Sequence, residues 1–359
     1  MGYFLQTRRG KQEGASYRIV DSRGPWFLGA SPLHVGFAGC YLAIASLKLL
    51  AARFGSAPCI AHVNITGRGS TVRKVILLYV ARLIGMRYIL HVHDYDYAAE
   101  YCRHGALVKS LIATTFRCAT KILVLGVRDQ GALTRLLELP QDQVTVLHNA
   151  VPDPLPDFPK VRYSEGPFHF LFLGRLSARK GVPELLRALA SPELRSRQWR
   201  ATVAGDGPID EFRRLTNDFG ISERVNFPGW LDQSRVGALC SDADVLVLPS
   251  HAEGLAMAVL EGLSHGLAVI TTPVGAHSEV IEPEVSGILV PPGDVEALTG
   301  ALVRLIEDKN LCQRLRAGAR SRFLEKFDVR AYAERLGQLH MRLLSDPRNV
   351  RGIGMEQRR

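Results

Sequence analysis

The stretch EGLAMAVLEGLSHG, Glu253 to Gly266, sets two carboxylates, Glu253 and Glu261, eight residues apart with seven small or apolar residues between them. A carboxylate drawn toward an apolar interior is costly unless something pairs with it, so acids at both ends of such a run suggest ligand groups that donate hydrogen bonds. As one continuous helix the eight residues would rise about 12 Å and turn about 80° past two full turns, leaving both acids on one broad face. A second candidate is FLGRLSARKG, Phe172 to Gly181, where an apolar run ends at Gly174 and Arg175 and Lys180 follow five apart. Glycine there lets the backbone approach a ligand, and the two cations can neutralise a diphosphate. A third is YILHVHD, Tyr88 to Asp94, whose His91 and His93 fall on one face of a strand because side chains alternate.

The elements that must position these groups read as alternating strands and helices. Candidate strands are Trp26–Gly29, Ala57–Val63, Tyr88–His93, Lys121–Leu125 and Val144–Leu147 in the first half. The second half offers Phe168–Gly174, Arg200–Ala204, Val225–Phe227, Val245–Pro249, Ala268–Thr271 and Gly287–Val290. Between them lie helical patterns such as Cys40–Arg53, Val72–Ile84 and Pro183–Ala190. This alternation predicts an α/β chain with parallel sheets covered by helices on both faces. Residues 151–167 hold five prolines in seventeen positions, which neither a helix nor a sheet ladder accommodates. They divide the chain into domains at 1–155 and 165–345, with the last helical segment, Phe323–Leu344, free to cross back onto the first. In open parallel sheets ligands bind beyond the carboxyl ends of the strands. Besides Gly174–Gly181, the second half places Gly205–Pro208, Gly229–Leu231, Ser250–Leu255 and Thr271–Glu279 at such ends. In the first half, Gly36 and Gly39 of FLGASPLHVGFAG stand between the first candidate strand and the Cys40–Arg53 helix. They do not complete Gly-x-Gly-x-x-Gly, which argues against a nicotinamide site.

Taken in order, GRLSARKG, AGDGP, FPGW, LPSHAEGLAMAVLEGLSHG and TTPVGA resemble the nucleotide-sugar half of retaining glycosyltransferases of family 4, strongly over 165–345 and more loosely before it. The resemblance implies the GT-B fold, two doubly wound Rossmann-like domains facing a central cleft, with Glu253 and Glu261 as the family's Glu-x7-Glu. It implies that Arg175 and Lys180 hold the donor diphosphate, that Glu253 faces the transferred sugar, and that the Gly254 and Leu255 amides donate at a helix N-terminus. Glu261 would accept from the ribose hydroxyls. Gly205, Asp206 and Gly207, with Gly229, Trp230 and Leu231, would border the base, and Ser250 would line the site. In the first domain Gly36 and Gly39 would form the family's substrate-binding glycine loop, and His93, with His91 as second choice, would touch the donor sugar. The implied activity is transfer of a hexose from a nucleotide-diphosphate sugar with retention, by front-side attack of an acceptor hydroxyl on the face the diphosphate leaves. Rival readings are a nucleotide-sugar epimerase or inverting transferase of the same fold, and a protein that binds nucleotide sugar without turnover.

Asp94-Tyr95-Asp96 and Asp242-Ala243-Asp244 match the metal-binding Asp-x-Asp of the other large glycosyltransferase fold. The first lies in the opposite half and the second leads into a strand, while Arg175 and Lys180 supply the charge a metal would bring. No metal cofactor is expected.

The chain has 359 residues and a formal charge of +10. Residues 1–160 carry 19 Lys and Arg against 10 Asp and Glu, and the remainder 26 against 25. A basic first half suggests an anionic partner, here a lipid-linked or polysaccharide acceptor or an anionic membrane surface. Nucleic acid is not expected, since the basic residues are not interleaved with aromatics. The segment Ser70–Arg87, with Arg73, Lys74, Arg82 and Arg87, reads equally as a core-packed helix with a basic outer face or as one lying on a membrane. Six scattered cysteines without a Cys-x-x-Cys pair suit a reducing cytoplasm. With no long apolar run and no secretory-signal pattern, the expected location is cytoplasmic, with association at the inner membrane face left open.

Overall fold

The computed structural model describes residues 17–20, 32–55, 58–67, 69–94, 96–154 and 166–346. The chain forms two compact units, one of residues up to Leu147 together with those from Ala333 onward, the other His148–Tyr332. The division falls ahead of the proline-rich segment. Residues after Leu147 already belong with the second unit because Val151 donates to Phe327 O, at 3.1 Å, and accepts from Val329 N, at 3.0 Å, while Asp153 pairs with Arg320 at 2.8 Å.

The first unit contains α1 (Pro32–Arg53), β1 (Ile60–Ile65), α2 (Gly69–Leu83), β2 (Arg87–Val92), α3 (Tyr97–Cys102), α4 (Ala106–Arg117), β3 (Lys121–Val124), α5 (Val127–Leu137) and β4 (Val144–Val146). Among the described residues its strands pair in the order β1-β2-β3-β4, all parallel. Ile65, Leu90, Ile112, Phe116 and Ile122 are fully buried in its core. The strand expected at Trp26–Gly29 lies outside the described residues. Gly36 and Gly39 do not form a loop: both lie within α1, which begins at Pro32. Proline at a first helical position starts a helix readily, and two isolated glycines cost it only about 1 kcal/mol each, so the glycine loop expected there is helical instead.

The second unit follows with β5 (Phe168–Leu173), α6 (Val182–Leu189), α7 (Pro192–Arg195), β6 (Trp199–Ala204), α8 (Ile209–Asp218), β7 (Val225–Gly229), α9 (Gln233–Asp242), β8 (Val245–Leu248), α10 (Met257–Ser264), β9 (Ala268–Thr271), α11 (His277–Val280), β10 (Gly287–Leu289), α12 (Val295–Glu307), α13 (Lys309–Lys326) and α14 (Val329–Ser345), the last of which lies mostly in the first unit. The single C-terminal helix read from 323 to 344 is thus two helices, broken where buried Asp328 bridges to Val151. The sheet order is β10-β9-β8-β5-β6-β7, parallel throughout. Chain progression reverses between β5 and its two neighbours, β6 and β8, which makes their carboxyl ends a topological switch point. All residues of β8 and β9 are buried, as both-faced coverage of a parallel sheet requires.

No helix among the described residues is long and apolar enough to cross a membrane.

Candidate functional site

The turn after β5 is built by glycines in positive-φ conformations. Gly174 (φ 145°) and Gly181 (φ 72°) bracket a short 3-10 turn, Ala178–Lys180. A Cβ on Gly181 would stand 2.1 Å from Pro249 O, and one on Gly205 (φ 150°) would stand 1.8 Å from Gly174 O. Side chains are therefore excluded where the ends of β5, β6 and β8 converge. Three hydrogen bonds lace the turns together: Gly174 N to Ala204 O at 3.0 Å, Leu176 N to Asp206 O at 2.7 Å, and Gly205 N to Gly229 O at 2.9 Å. The predicted residues Gly174, Arg175, Gly205, Asp206, Gly207 and Gly229 are thus neighbours at the carboxyl ends of β5, β6 and β7. Arg175 is exposed and forms no ion pair among the described residues. Trp230 is 74% exposed, and Leu231 beside it is half-buried.

Close approach at Gly181 brings the 3-10 turn against the segment after β8. Lys180 Nζ lies 2.5 Å from Glu253 Oε1, and Arg179 Nη1 lies 3.7 Å from Oε2. Arg179 also donates to Ala252 O at 2.5 Å, and its own carbonyl accepts from His251 N at 2.8 Å. Glu253 is 8% exposed, so its carboxylate faces these two cations rather than water. Ser250 is fully buried, and its hydroxyl has no partner among the described residues.

The eight-residue spacing is not one helix. Helix α10 starts at Met257, and its N-cap residue Ala256 is extended (φ −70°, ψ 125°). Glu253 therefore sits in the connection ahead of the helix and Glu261 within it, so the shared helical face expected from spacing does not exist. A clamp from the β9–α11 turn prevents helix there. Ala276 N donates to Gly254 O at 2.7 Å, and a Cβ on Gly275 would stand 2.1 Å from Glu253 O. Ala256 N donates to His277 Nε2 at 3.3 Å. His277 Nδ1 faces Thr271 Oγ1 at 3.1 Å and Thr272 O at 3.2 Å. Since Thr271 Oγ1 donates to Leu248 O, the proton resides on Nδ1 and Nε2 is the acceptor. Burial, only partly offset by Glu253, lowers the His277 pKa to about 4, which keeps this ring neutral.

What remains is two buried residues, Gly254 and Leu255, whose backbone N–H groups have no partner among the described residues. Buried amides are nearly always satisfied, so this pair is open to an acceptor. Glu261 is the counterpart: half-buried, without an ion pair or side-chain hydrogen bond among the described residues, its carboxyl raised by burial. Its helix is fixed from behind. Arg316 Nε donates to Gly266 O at 3.1 Å and Arg320 Nη1 to Ser264 O at 2.7 Å, cations placed where the helix dipole favours them. Gly262 lets α10 lie on β8, for a Cβ there would meet Leu246 Cδ2 at 2.8 Å.

Sequence reasoning missed Arg179 and His277. Arg179 stood inside the quoted loop, one residue before the lysine chosen. His277 stood inside TTPVGAHSE, but no local pattern marks a histidine that acts on a backbone amide twenty-one residues away.

In the first unit, His93 follows β2 and its Nε2 lies 2.9 Å from Asn64 Oδ1. His91 is buried, its ring centroid 4.1 Å from that of His93, so the two do share a face. Burial, assisted by Lys74, lowers His93 to about 4. The acids of both Asp-x-Asp stretches have partners within the fold. Asp94 Oδ2 accepts from Gly67 N at 2.6 Å and Asp96 caps α3. Asp242 pairs with Arg200 at 2.7 Å and Asp244 with Arg316 at 3.3 Å.

Residues 156–322 match the family model described as glycosyl transferases group 1. The alpha-D-kanosaminyltransferase of Streptomyces kanamyceticus is 24% identical over 296 residues, 78% of this chain and 76% of the relative. A lipopolysaccharide core biosynthesis glycosyltransferase of Rhizobium meliloti is 34% identical over 167 residues, covering 45% and 47%. Among solved structures, the Anabaena HepE protein in complex with UDP-glucose superposes with a TM-score of 0.66 at 20% identity, over 86% of this chain and 83% of that one. The two α/β units have the GT-B fold, and the group 1 match over the site-bearing residues together with these relatives supports an enzyme of the hexosyltransferase class.

Proposed function

We propose that the chain is a retaining glycosyltransferase of family 4 that moves a hexose from a nucleotide-diphosphate sugar to a hydroxyl of a lipid-linked or polysaccharide acceptor. The observation that carries this reading is the pair of unpartnered amides at Gly254 and Leu255 between Glu253 and Glu261, at the switch point of the second sheet. An anion placed on those amides lies at the start of α10 with Lys180 and Arg175 on the neighbouring turn, a setting that favours phosphate. The sugar then extends toward Glu253 and the ribose toward Glu261.

In this reading Arg175, Lys180 and the two amides stabilise the departing diphosphate, which is where charge develops. Glu253, neutralised by Lys180 and Arg179, is a weak nucleophile and a good acceptor for sugar hydroxyls. That favours front-side attack over a covalent intermediate and hence retention. Histidines such as His93 and the basic first unit serve the sugar and an anionic acceptor, and the cations make a metal ion dispensable. The lipopolysaccharide core relative supports a lipid-borne or glycan acceptor, and cytoplasmic action at the inner membrane face is part of the same proposal.

The test is a donor panel assayed for turnover with and without EDTA, followed by determination of the product anomer by NMR. Retention with EDTA-insensitive turnover is expected. An inverted anomer, epimerised donor, or binding without turnover would each replace this reading with the corresponding rival.

A further inference from the structure

Positions 22–93 contain eight Lys and Arg and no Asp or Glu. Helices α1 and α2 lie in this span and pack side by side. A helix of a soluble unit normally turns a polar face to water; α1 is apolar on its exposed face as well as on the face that carries Ala45, Leu49 and Ala52 into the core. Its exposed stripe is Ala43, Ile44, Leu47, Lys48 and Ala51, continued past the helix end by Phe54. Leu47 is 64% exposed and Phe54 76%. On α2 the exposed apolar positions are Val72, Ile76 and Leu83, the last 84% exposed. Arg53 Nε donates to Ile84 O at 3.0 Å, which joins the carboxyl ends of the two helices and sets Phe54 and Leu83 at the same end.

The basic residues separate into two groups. Lys74 donates to Asn64 O, and Arg87 belongs to β2 and pairs with Asp346 at 3.3 Å; both face inward. Lys48, Arg53, Arg73 and Arg82 form no ion pair among the described residues, and Lys48 and Arg82 are exposed beside the apolar stripe. Exposed Leu and Phe flanked by uncompensated cations match the interface of an anionic bilayer, where apolar side chains enter the acyl boundary and Lys and Arg meet headgroup phosphates. An exposed apolar patch marks a contact with another protein or with a membrane, and the unpaired cations beside it favour the anionic membrane.

We propose that the outward face of α1, with the end of α2, is a docking surface for anionic membrane, and that α1 rather than α2 supplies most of its insertion. The proposal rests on the membrane-borne acceptor of the preceding section but is tested without donor or acceptor. The full chain is sedimented with extruded vesicles of phosphatidylcholine alone or with about a third phosphatidylglycerol. Binding to the anionic vesicles is expected, weakened by salt. A Leu47→Ser/Phe54→Ser double variant is expected to weaken it by about tenfold or more, and Lys48→Glu/Arg82→Glu to abolish the preference for anionic lipid. These positions are exposed, and each variant is checked for unchanged melting and for unchanged donor affinity, which reports separately on the transferase site. Equal indifference to both vesicle types, or anionic binding untouched by either variant, overturns the proposal. So does a chain that ignores vesicles and sediments as a dimer made monomeric by the Leu47→Ser/Phe54→Ser change, which assigns the stripe to a second copy.

Discussion

Replacing Glu261 separates binding from folding, because the structure gives its carboxylate opposite signs in the two. In the unliganded chain Glu261 is half-buried on α10 and its pKa is raised by desolvation. A carboxyl whose folded pKa exceeds its unfolded one binds its proton more tightly when folded. Stability from this group is therefore fullest below the unfolded pKa and is lost as pH rises through the folded one. At neutral pH the ionised group strains the fold, so Glu261→Gln, which keeps size and removes charge, raises Tm, and the gain disappears in acid. Donor binding goes the other way. A carboxylate accepting from two ribose hydroxyls contributes about 1.5–3 kcal/mol per hydrogen bond. Truncation to Ala, allowing for water taking up part of the loss, costs about 3 kcal/mol, roughly 100-fold in Kd, and Gln about 10-fold. Calorimetry with a nucleoside diphosphate and with its sugar conjugate measures this, and both ligands should weaken equally because both carry the ribose. Unchanged Kd, or a loss confined to the sugar conjugate, refutes the ribose assignment; a Tm that falls for Gln refutes the claim that the charge is uncompensated.

The other predictions concern the parts that hold the site. His277→Leu leaves the Ala256 N–H without its acceptor, so Tm should fall by an amount equivalent to about 1–3 kcal/mol and donor Kd should rise; because the folded pKa, about 4, is below the ordinary value for histidine, wild-type stability from this group is lost as pH falls from about 6.5 through about 4, and pH-dependent melting of His277→Gln should lack that share. Gly205→Ala, facing Gly174 O at 1.8 Å, should prevent soluble folding, whereas Gly220→Ala, with φ 68° and nothing within 4 Å of the added carbon, should cost only about 1–2 kcal/mol by chemical denaturation. Arg320→Ala breaks a buried pair with Asp153 and should cost about 3–5 kcal/mol, read from the denaturation midpoint. Glu253→Gln should abolish sugar transfer while leaving nucleoside diphosphate affinity unchanged or tighter, measured by turnover and calorimetry.

The second sheet was legible because its central strands are continuous apolar runs bounded by Gly or Pro, and coverage on both faces demands that pattern. Val245–Pro249 and Ala268–Thr271 were read within a residue of the observed Val245–Leu248 and Ala268–Thr271. The glycine turns were legible for a related reason, since Gly181 and Gly205 stand where any side chain meets a carbonyl. Conformations set by remote partners were not. The sequence LAMAVLEGLS is rich in good helix formers, and its first part is held out of the helix by Ala276 N and His277, which come from another strand's turn. Gly36 and Gly39 misled in the reverse direction: a glycine marks a turn only when a positive φ or a close approach needs it, and an added Cβ at Gly39 meets nothing within 4 Å. The unit boundary escaped the proline count because prolines report on local hydrogen bonding, while the boundary follows the bridge of Val151 to Asp328.

The break between Glu253 and α10 matters chemically. Had both acids stood on one helix, Glu253 would have been an exposed helical side chain with little reason to be oriented. In the extended connection it is buried, and Lys180 and Arg179 hold its two oxygens from the β5 turn. In the proposed donor pose the same cationic turn supplies the diphosphate-binding charge, so the group facing the sugar and the groups facing the leaving group would be coupled through Lys180. A diphosphate arriving on the Gly254 and Leu255 amides competes with Glu253 for that lysine. The Glu253→Gln expectation follows from this competition: without the carboxylate, Lys180 is available to phosphate, and affinity for the leaving group should not fall even though sugar transfer does.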